Sequence, residues 1–207
     1  LAQYVGRELG RRATPRTQGM VLLRHGIFSF GETARESYER MIALVSRAEE
    51  YLQRQGAFAL DEPPVAGPTI PRNELAALRR AVCDAAGMPL VMRTRTTPRT
   101  LAFARHPHVA RITQQGPATP DHVIRTKRTP LVGTDVAGFA AEYRAYFAAH
   151  APHARAPKTM LDPAPRMILD PRFGLASLGR TARDAAIVEE LYEHTIDVIR
   201  RAEALER

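Results

Sequence analysis

The sequence predicts an α/β protein made of two related units, the first of them lacking its front half. Three observations carry that prediction. Short apolar runs of strand length alternate with longer stretches whose apolar residues recur at helical spacing. One arrangement (strand, turn, strand, glycine, capped helix) occurs twice: Gly26, Ser29, Gly31, Thr33, Ala34 and Arg35 return as Gly174, Ser177, Gly179, Thr181, Ala182 and Arg183, each 148 positions on. Between the copies, residues 61–72 hold four prolines and a glycine, the composition of a linker that continues neither helix nor inner strand. The units are therefore expected at 1–60 and 73–207.

The elements follow in order. Residues 1–10 are expected as a helix on Leu1, Tyr4, Val5 and Leu9, and 11–18 as a polar connector containing Pro15. Gly19 to Leu23 has the length and branching of a buried strand, and Ile27 to Phe30 reads as a second one beyond His25-Gly26. Thr33 followed by Glu36 is a capping box, so a helix begins there. Its stripe of Ala34, Tyr38, Met41, Ile42, Val45, Ala48 and Leu52 is expected to be core, and it should stop near Gly56. Beyond the linker a helix is expected at about 73–86, ended by Gly87, then a strand over 89–92 and a helical or turn element from Thr100 to Phe103. Residues 110–112 and 122–124 are expected as short strands, 135–149 as a helix and 152–165 as a proline-rich connector. The second copy then opens with a strand over 166–169. It closes with a helix capped by Thr181 and Asp184, whose stripe is Ala185, Val188, Tyr192, Thr195, Ile199 and Ala202.

Bulk composition excludes several classes. Hydrophobic content of 44% and charged content of 25% are those of a soluble globular protein. No run of 18 apolar residues is present, so no membrane-spanning helix is expected, and no basic-then-apolar leader opens the chain. The net charge of +8 rests on 30 basic residues, only two of them lysines, Lys127 and Lys158. The arginines scatter, aromatics are 6%, and no nucleic-acid-binding motif accompanies them, so no nucleic-acid partner is expected. Cys83 stands alone, which leaves no disulfide framework and no cysteine metal site and points to a reducing, cytoplasmic home. The chain starts at Leu1 inside a helical pattern and reads as part of something longer.

The duplicate is imperfect in one informative place. His25 falls opposite Phe173, so the frame is kept twice and the imidazole once. A histidine before glycine ordinarily satisfies a backbone group, and one imidazole does not hold zinc tightly, because such sites use three or four protein ligands. His122 lies among Asp121, Arg125, Lys127 and Arg128, a basic cluster suited to a sugar phosphate. The favoured alternative is a solvated loop whose charges pair locally. His106 and His108 have metal-ligand spacing, but Pro107 between them makes a loop the better reading. Lys127 and Lys158 are discounted as imine-forming lysines, since neither lies in an apolar stretch that would lower its pKa.

The stretch VLLRHGIFSFGETARESYERMIALVSRAEEYL resembles the C-terminal part of the class II aldolase/adducin family, with its strand into His-Gly, second strand, Gly-x-Thr and helix. More narrowly, TPDHVIRTKRTPL and DPRFGLASLGRTARDAA resemble bacterial bifunctional proteins that fuse a rhamnulose-1-phosphate aldolase to a short-chain dehydrogenase. The resemblance implies a layered fold with a mainly antiparallel central sheet flanked by helices. It also implies zinc-dependent retro-aldol cleavage of a deoxyketose 1-phosphate to dihydroxyacetone phosphate and lactaldehyde. His25 matches the third metal histidine; the segment that carries the other two, the acidic residue and the phosphate loop is not in this sequence. In the second unit the matching positions are Pro117, Thr119 and Phe173, so that unit reads as a degenerate copy. No residue of the chain is assigned a catalytic role of its own, and no G-x-G-x-x-G follows a strand, so no NAD site is expected. The resemblance implies a sugar-phosphate substrate and a homo-oligomer. A non-catalytic, adducin-like scaffold or oligomerisation module stays open beside it.

Overall fold

The computed structural model describes residues 2–23, 25–59, 67 and 69–205. It is a mixed α/β structure, and the chain separates into two compact units, Leu1–Ala59 and Leu60–Arg207. Most of the stretch read as a linker lies outside the described residues.

The first unit is α1 (Ala2–Arg12), β1 (Gly19–Leu22), β2 (Gly26–Ser29) and α2 (Ala34–Arg54). β1 and β2 pair antiparallel, from Gly19 opposite Ser29 to Leu22 opposite Gly26. Thr33 caps α2 as its spacing requires: its Oγ1 accepts the Glu36 N–H at 3.1 Å, while the Glu36 carboxylate accepts from the Glu32 N–H at 2.8 Å. α2 lies on the hairpin through Ser37, Arg40, Met41 and Leu44, four of the residues at which it is partly buried. Two expectations fail here. No residue of α2 is buried, and Tyr38 and Ile42 are 67% and 50% exposed. Val21 of the expected buried strand is 69% exposed. A sheet of two strands covers only one narrow face of a helix, so Tyr38, Ile42 and Val45 of the apolar stripe are left outside it.

The second unit starts with α3 (Arg72–Ala86), closed by Gly87 in the left-handed region at φ 66°. β3 (Val91–Arg95), α4 (Pro98–Ala104), α5 (Val109–Ile112), a 3-10 turn (Pro120–His122) and α6 (Val123–Thr126) follow. Next come β4 (Leu131–Val132), α7 (Val136–His150), a second 3-10 turn (Ala151–His153), β5 (Met167–Asp170), β6 (Gly174–Gly179) and α8 (Ala182–Leu205). The sheet order is β3-β6-β5-β4, antiparallel except for the β4–β5 pair. Residues 110–112 and 122–124 are helical rather than strands. Short apolar runs are ambiguous between the two states, and Pro120 sets the first turn of its segment at a helical φ.

Every residue of β5 and β6 is buried, and alternation divides them between two cores. Ile168, Ala176 and Leu178 pack with Leu78, Val82 and Phe173, whereas Met167, Leu169 and Leu175 pack with Phe103, Val188, Tyr192 and Ile196. α8 is fastened to the neighbouring β3 and α4 by an ion-pair ladder. Arg93 meets Glu189 at 3.3 Å, Arg95 meets Glu193 at 3.3 Å, and Arg99 reaches Glu193 at 2.9 Å and Asp197 at 3.1 Å.

The two ββα segments share one frame. α8 buries Ala185, Val188, Glu189, Tyr192, Thr195 and Ile196, and the first four stand 148 positions beyond the α2 residues that touch the hairpin. The repeated Gly-x-Thr has a steric cause. A Cβ on Gly179 would come 2.3 Å from the Ala185 nitrogen, and one on Gly31 would come 2.9 Å from the Ser37 nitrogen, because the helix start lies against the strand end in both.

Candidate functional site

The basic segment after Thr119 turns twice. Pro120 opens the 3-10 turn, α6 continues it for four residues, and Lys127 closes it at φ 64° and ψ −178°. That conformation is close to glycine-only. The buried Thr126 holds the turn, its hydroxyl 3.0 Å from the His122 carbonyl and 2.9 Å from the Lys127 carbonyl. The sharp exit sends the Lys127 side chain inward, where the residue is 5% exposed. Its Nζ donates to the backbone carbonyl of Asp162 and sits 4.3 Å from the centre of the Tyr143 ring. The Asp162 carboxylate itself pairs with Arg166 at 2.6 Å. Burial therefore lowers the Lys127 pKa to about 8; the Asp162 charge opposes the shift and the Arg166 charge adds to it.

Lys127 borders a cavity of about 90 Å³, lined also by Gln114, Arg128, Thr129, Phe139, Glu142, Tyr143 and Tyr146. The Arg128 guanidinium lies 5.5 Å from the Tyr146 ring centre, and the Gln114 amide donates to the Pro130 carbonyl at 3.2 Å. Burial also raises the Tyr143 pKa, helped by the Asp162 carboxylate, so this phenol keeps its proton. The cavity thus joins three aromatic rings, an amine, a guanidinium and a carboxylate.

The predicted cluster does not converge there. Only Lys127 of the three predicted substrate-binding residues lines the cavity. The Arg125 guanidinium reaches Asp184 in the first turn of α8, at 3.5 Å. His122 is half-buried at the end of the 3-10 turn, with its carbonyl facing Thr126. The sequence reading missed Tyr143 and Tyr146, whose spacing of three on one helix was the available signal. It also discounted Lys127 for want of apolar neighbours in sequence. The structure corrects that argument, because Phe139 and Tyr143 come from α7 and the Asp162 carbonyl from beyond it.

His25 occupies the tip of the β1–β2 hairpin. Its N–H donates to the Leu22 carbonyl at 3.0 Å, and Gly26 beyond it takes φ 141°. The ring is exposed and stacks on Phe28, with centroids 5.7 Å apart and planes 9° from parallel. The β5–β6 hairpin repeats this turn: the Phe173 N–H donates to the Asp170 carbonyl at 3.2 Å, and Gly174 takes φ 86°. There the side chain is 1% exposed and packed in the core. Among the described residues no group of three or more His, Cys, Asp or Glu is placed to hold a metal. His106 and His108 lie in the loop between α4 and α5, the His108 N–H donating to His106 Nδ1 at 3.2 Å.

A groove of about 400 Å³ between α1 and β1 is larger, but its charged Glu8 and Arg12 pair with each other at 2.8 Å. Among the described residues no helix is long and apolar enough to cross a membrane.

Residues 70–207 match the family described as "Aldolase class II, second domain". Among curated proteins, the chain is similar to the "Uncharacterized oxidoreductase YuxG" of Bacillus subtilis (strain 168), with 26% identity over 220 residues and 92% of the chain covered. The chain spans 31% of that relative's length. No solved structure matches.

Proposed function

Because the chain belongs to the class II aldolase family, by its second domain, we propose that it is a portion of an aldolase that cleaves a deoxyketose 1-phosphate. Rhamnulose 1-phosphate is the substrate that fits best with the motifs at 119–131 and 170–186, with dihydroxyacetone phosphate and lactaldehyde as products. The observation supporting this reading is the pair of hairpin tips: one frame occurs twice, with an exposed imidazole at position 25 and a buried phenyl ring at position 173. The second unit is then a degenerate copy in the layered class II aldolase arrangement. Lys127 serves the substrate phosphate in this reading, with Arg125 and His122 at its margin. The oxidoreductase name of the relative, and its greater length, support a dehydrogenase partner domain in the whole protein. A cytoplasmic homo-oligomer without nucleic-acid or membrane partners belongs to the same reading.

The family implies zinc, which polarises the substrate carbonyl when bound. The described residues do not form such a site by themselves, since His25 stands on an exposed tip and no second and third ligand join it. What this chain supplies is position: the N–H of His25 closes the turn, and stacking on Phe28 fixes the ring plane. Cleavage is tested on the full-length gene product with rhamnulose 1-phosphate, following release of dihydroxyacetone phosphate. His25→Ala is expected to lower the rate at least ~100-fold with the melting temperature unchanged. Full activity and full metal content in the variant refute the assignment.

A second reading, a non-catalytic scaffold or oligomerisation module, is favoured by the exposed Tyr38 and Ile42 on α2. It predicts an oligomer dispersed by Tyr38→Arg with Ile42→Arg in sedimentation, and no cleavage by the full-length product.

A further inference from the structure

We propose that Lys127 is a covalent capture site for small aldehydes, its Nζ condensing with the carbonyl carbon at the wall of the aromatic cavity to form an imine. The proposal does not rest on the aldolase reading and involves neither His25 nor a metal.

Four structural observations support it. The amine donates an N–H to the Asp162 backbone carbonyl, a contact that does not engage the lone pair of its neutral form. The Asp162 carboxylate, whose charge opposes the lowering of the amine's pKa, is paired with Arg166 at 2.6 Å, and the Arg166 charge acts in the lowering direction. Lys127 lines a cavity of about 90 Å³ with Phe139, Tyr143 and Tyr146 in its wall, and its Nζ lies 4.3 Å from the centre of the Tyr143 ring. The backbone at Lys127 adopts φ 64° and ψ −178°, which glycine takes freely and lysine takes at a cost. A backbone conformation costly for lysine and a buried amine thus coincide at one residue.

Charge state agrees with this geometry. A lysine titrating at about 8 is about one-tenth neutral at pH 7, against about one in 2,500 for an ordinary lysine. Only the neutral amine is nucleophilic.

The condensation balances without any oxidant. The nitrogen lone pair forms the C–N bond while the carbonyl π pair moves to oxygen, and one amine proton passes to that oxygen to give a carbinolamine. The C–O bond then breaks as nitrogen forms the C=N bond. The second amine proton joins the departing oxygen, so amine plus aldehyde becomes imine plus water. Glu142 and the Tyr143 and Tyr146 phenols line the same cavity and are the groups that can pass these protons.

The sequence supplies its own reference, since Lys158 is the only other lysine and is exposed. The folded chain is treated at pH 7 with acetaldehyde and sodium cyanoborohydride, digested, and the two N-ethyl-lysine peptides are quantified by mass spectrometry. Lys127 is expected to be labelled at least ~10-fold faster than Lys158, and that preference is expected to vanish in urea. Equal or slower labelling of Lys127 overturns the proposal. So does a preference that survives unfolding, because it would then come from the neighbouring sequence and not from the cavity. Tyr143→Leu keeps the amine and removes one ring; its expected outcome is a preference reduced at least ~3-fold, and an unchanged preference also counts against the cavity.

Discussion

Ser29 donates its hydroxyl proton to the Ser37 carbonyl at 2.7 Å, whereas the hydroxyl of Ser177, the same position of the second copy, is fully buried with no hydrogen-bond partner among the described residues. The strand-to-helix contact is thus polar in one copy and unfulfilled in the other. An unmade hydrogen bond in a core costs about 1–3 kcal/mol. Ser177→Ala is accordingly expected to hold or raise the melting temperature, while Ser29→Ala lowers stability by about 1 kcal/mol. Thermal melts of the two single variants check the opposite signs.

The close approach behind Gly179 makes a sharper prediction. A methyl group there meets the Ala185 backbone nitrogen at 2.3 Å, and backbone cannot rotate away as a side chain can. Gly179→Ala is expected to cost at least about 3 kcal/mol, and Gly31→Ala, with its nearest contacts at 2.9 Å, less than half as much. Urea midpoints, read by helical circular dichroism, decide the order.

The two hairpin tips should respond very unequally to substitution. Phe173 is fully enclosed, so Phe173→Ala is expected to cost about 3–5 kcal/mol. His25→Phe, at an exposed tip, is expected to change stability by less than about 0.5 kcal/mol. A destabilised His25→Phe would show that the imidazole, too, is structural.

Lys127 gives the protein a stability that depends on pH in the alkaline range. Its folded pKa is lowered to about 8, while in the unfolded chain it returns to about 10.4. Between these values the unfolded chain binds the extra proton, so stability rises with pH through that window and is flat for this group below it. A rise of about 2 kcal/mol between pH 7.5 and 10 is expected. Lys127→Met is expected to flatten it, which urea titrations at several pH values will show.

Local chemistry made much of the fold legible. The Thr33 and Thr181 caps, the helix stop at Gly87 and the glycines at the hairpin tips each act within a few residues, and the structure has them where the spacing requires. What failed depends on distant partners. Tyr38 and Ile42 read as core because a stripe says only that a helix has an apolar side, not that a neighbour covers it. Residues 110–112 and 122–124 are too short for periodicity to separate strand from helix. β4, the strand actually present in this region, has only two residues and owes its pairing to β5, which is 35 or more positions away in sequence. The Lys127 environment was hidden for the same reason, since its aromatic wall and carbonyl partner come from α7 and the segment after it.

The hairpin of the first unit pairs only with itself, and no strand borders it on either outer side among the described residues. Two strands alone are marginal in water, whereas β5 and β6 are enclosed along their whole length. Amide protons of Met20 and Ile27 are therefore set to exchange through frequent local opening, and those of Ile168 and Ala176 only through global unfolding. One polypeptide carries two rates of breathing.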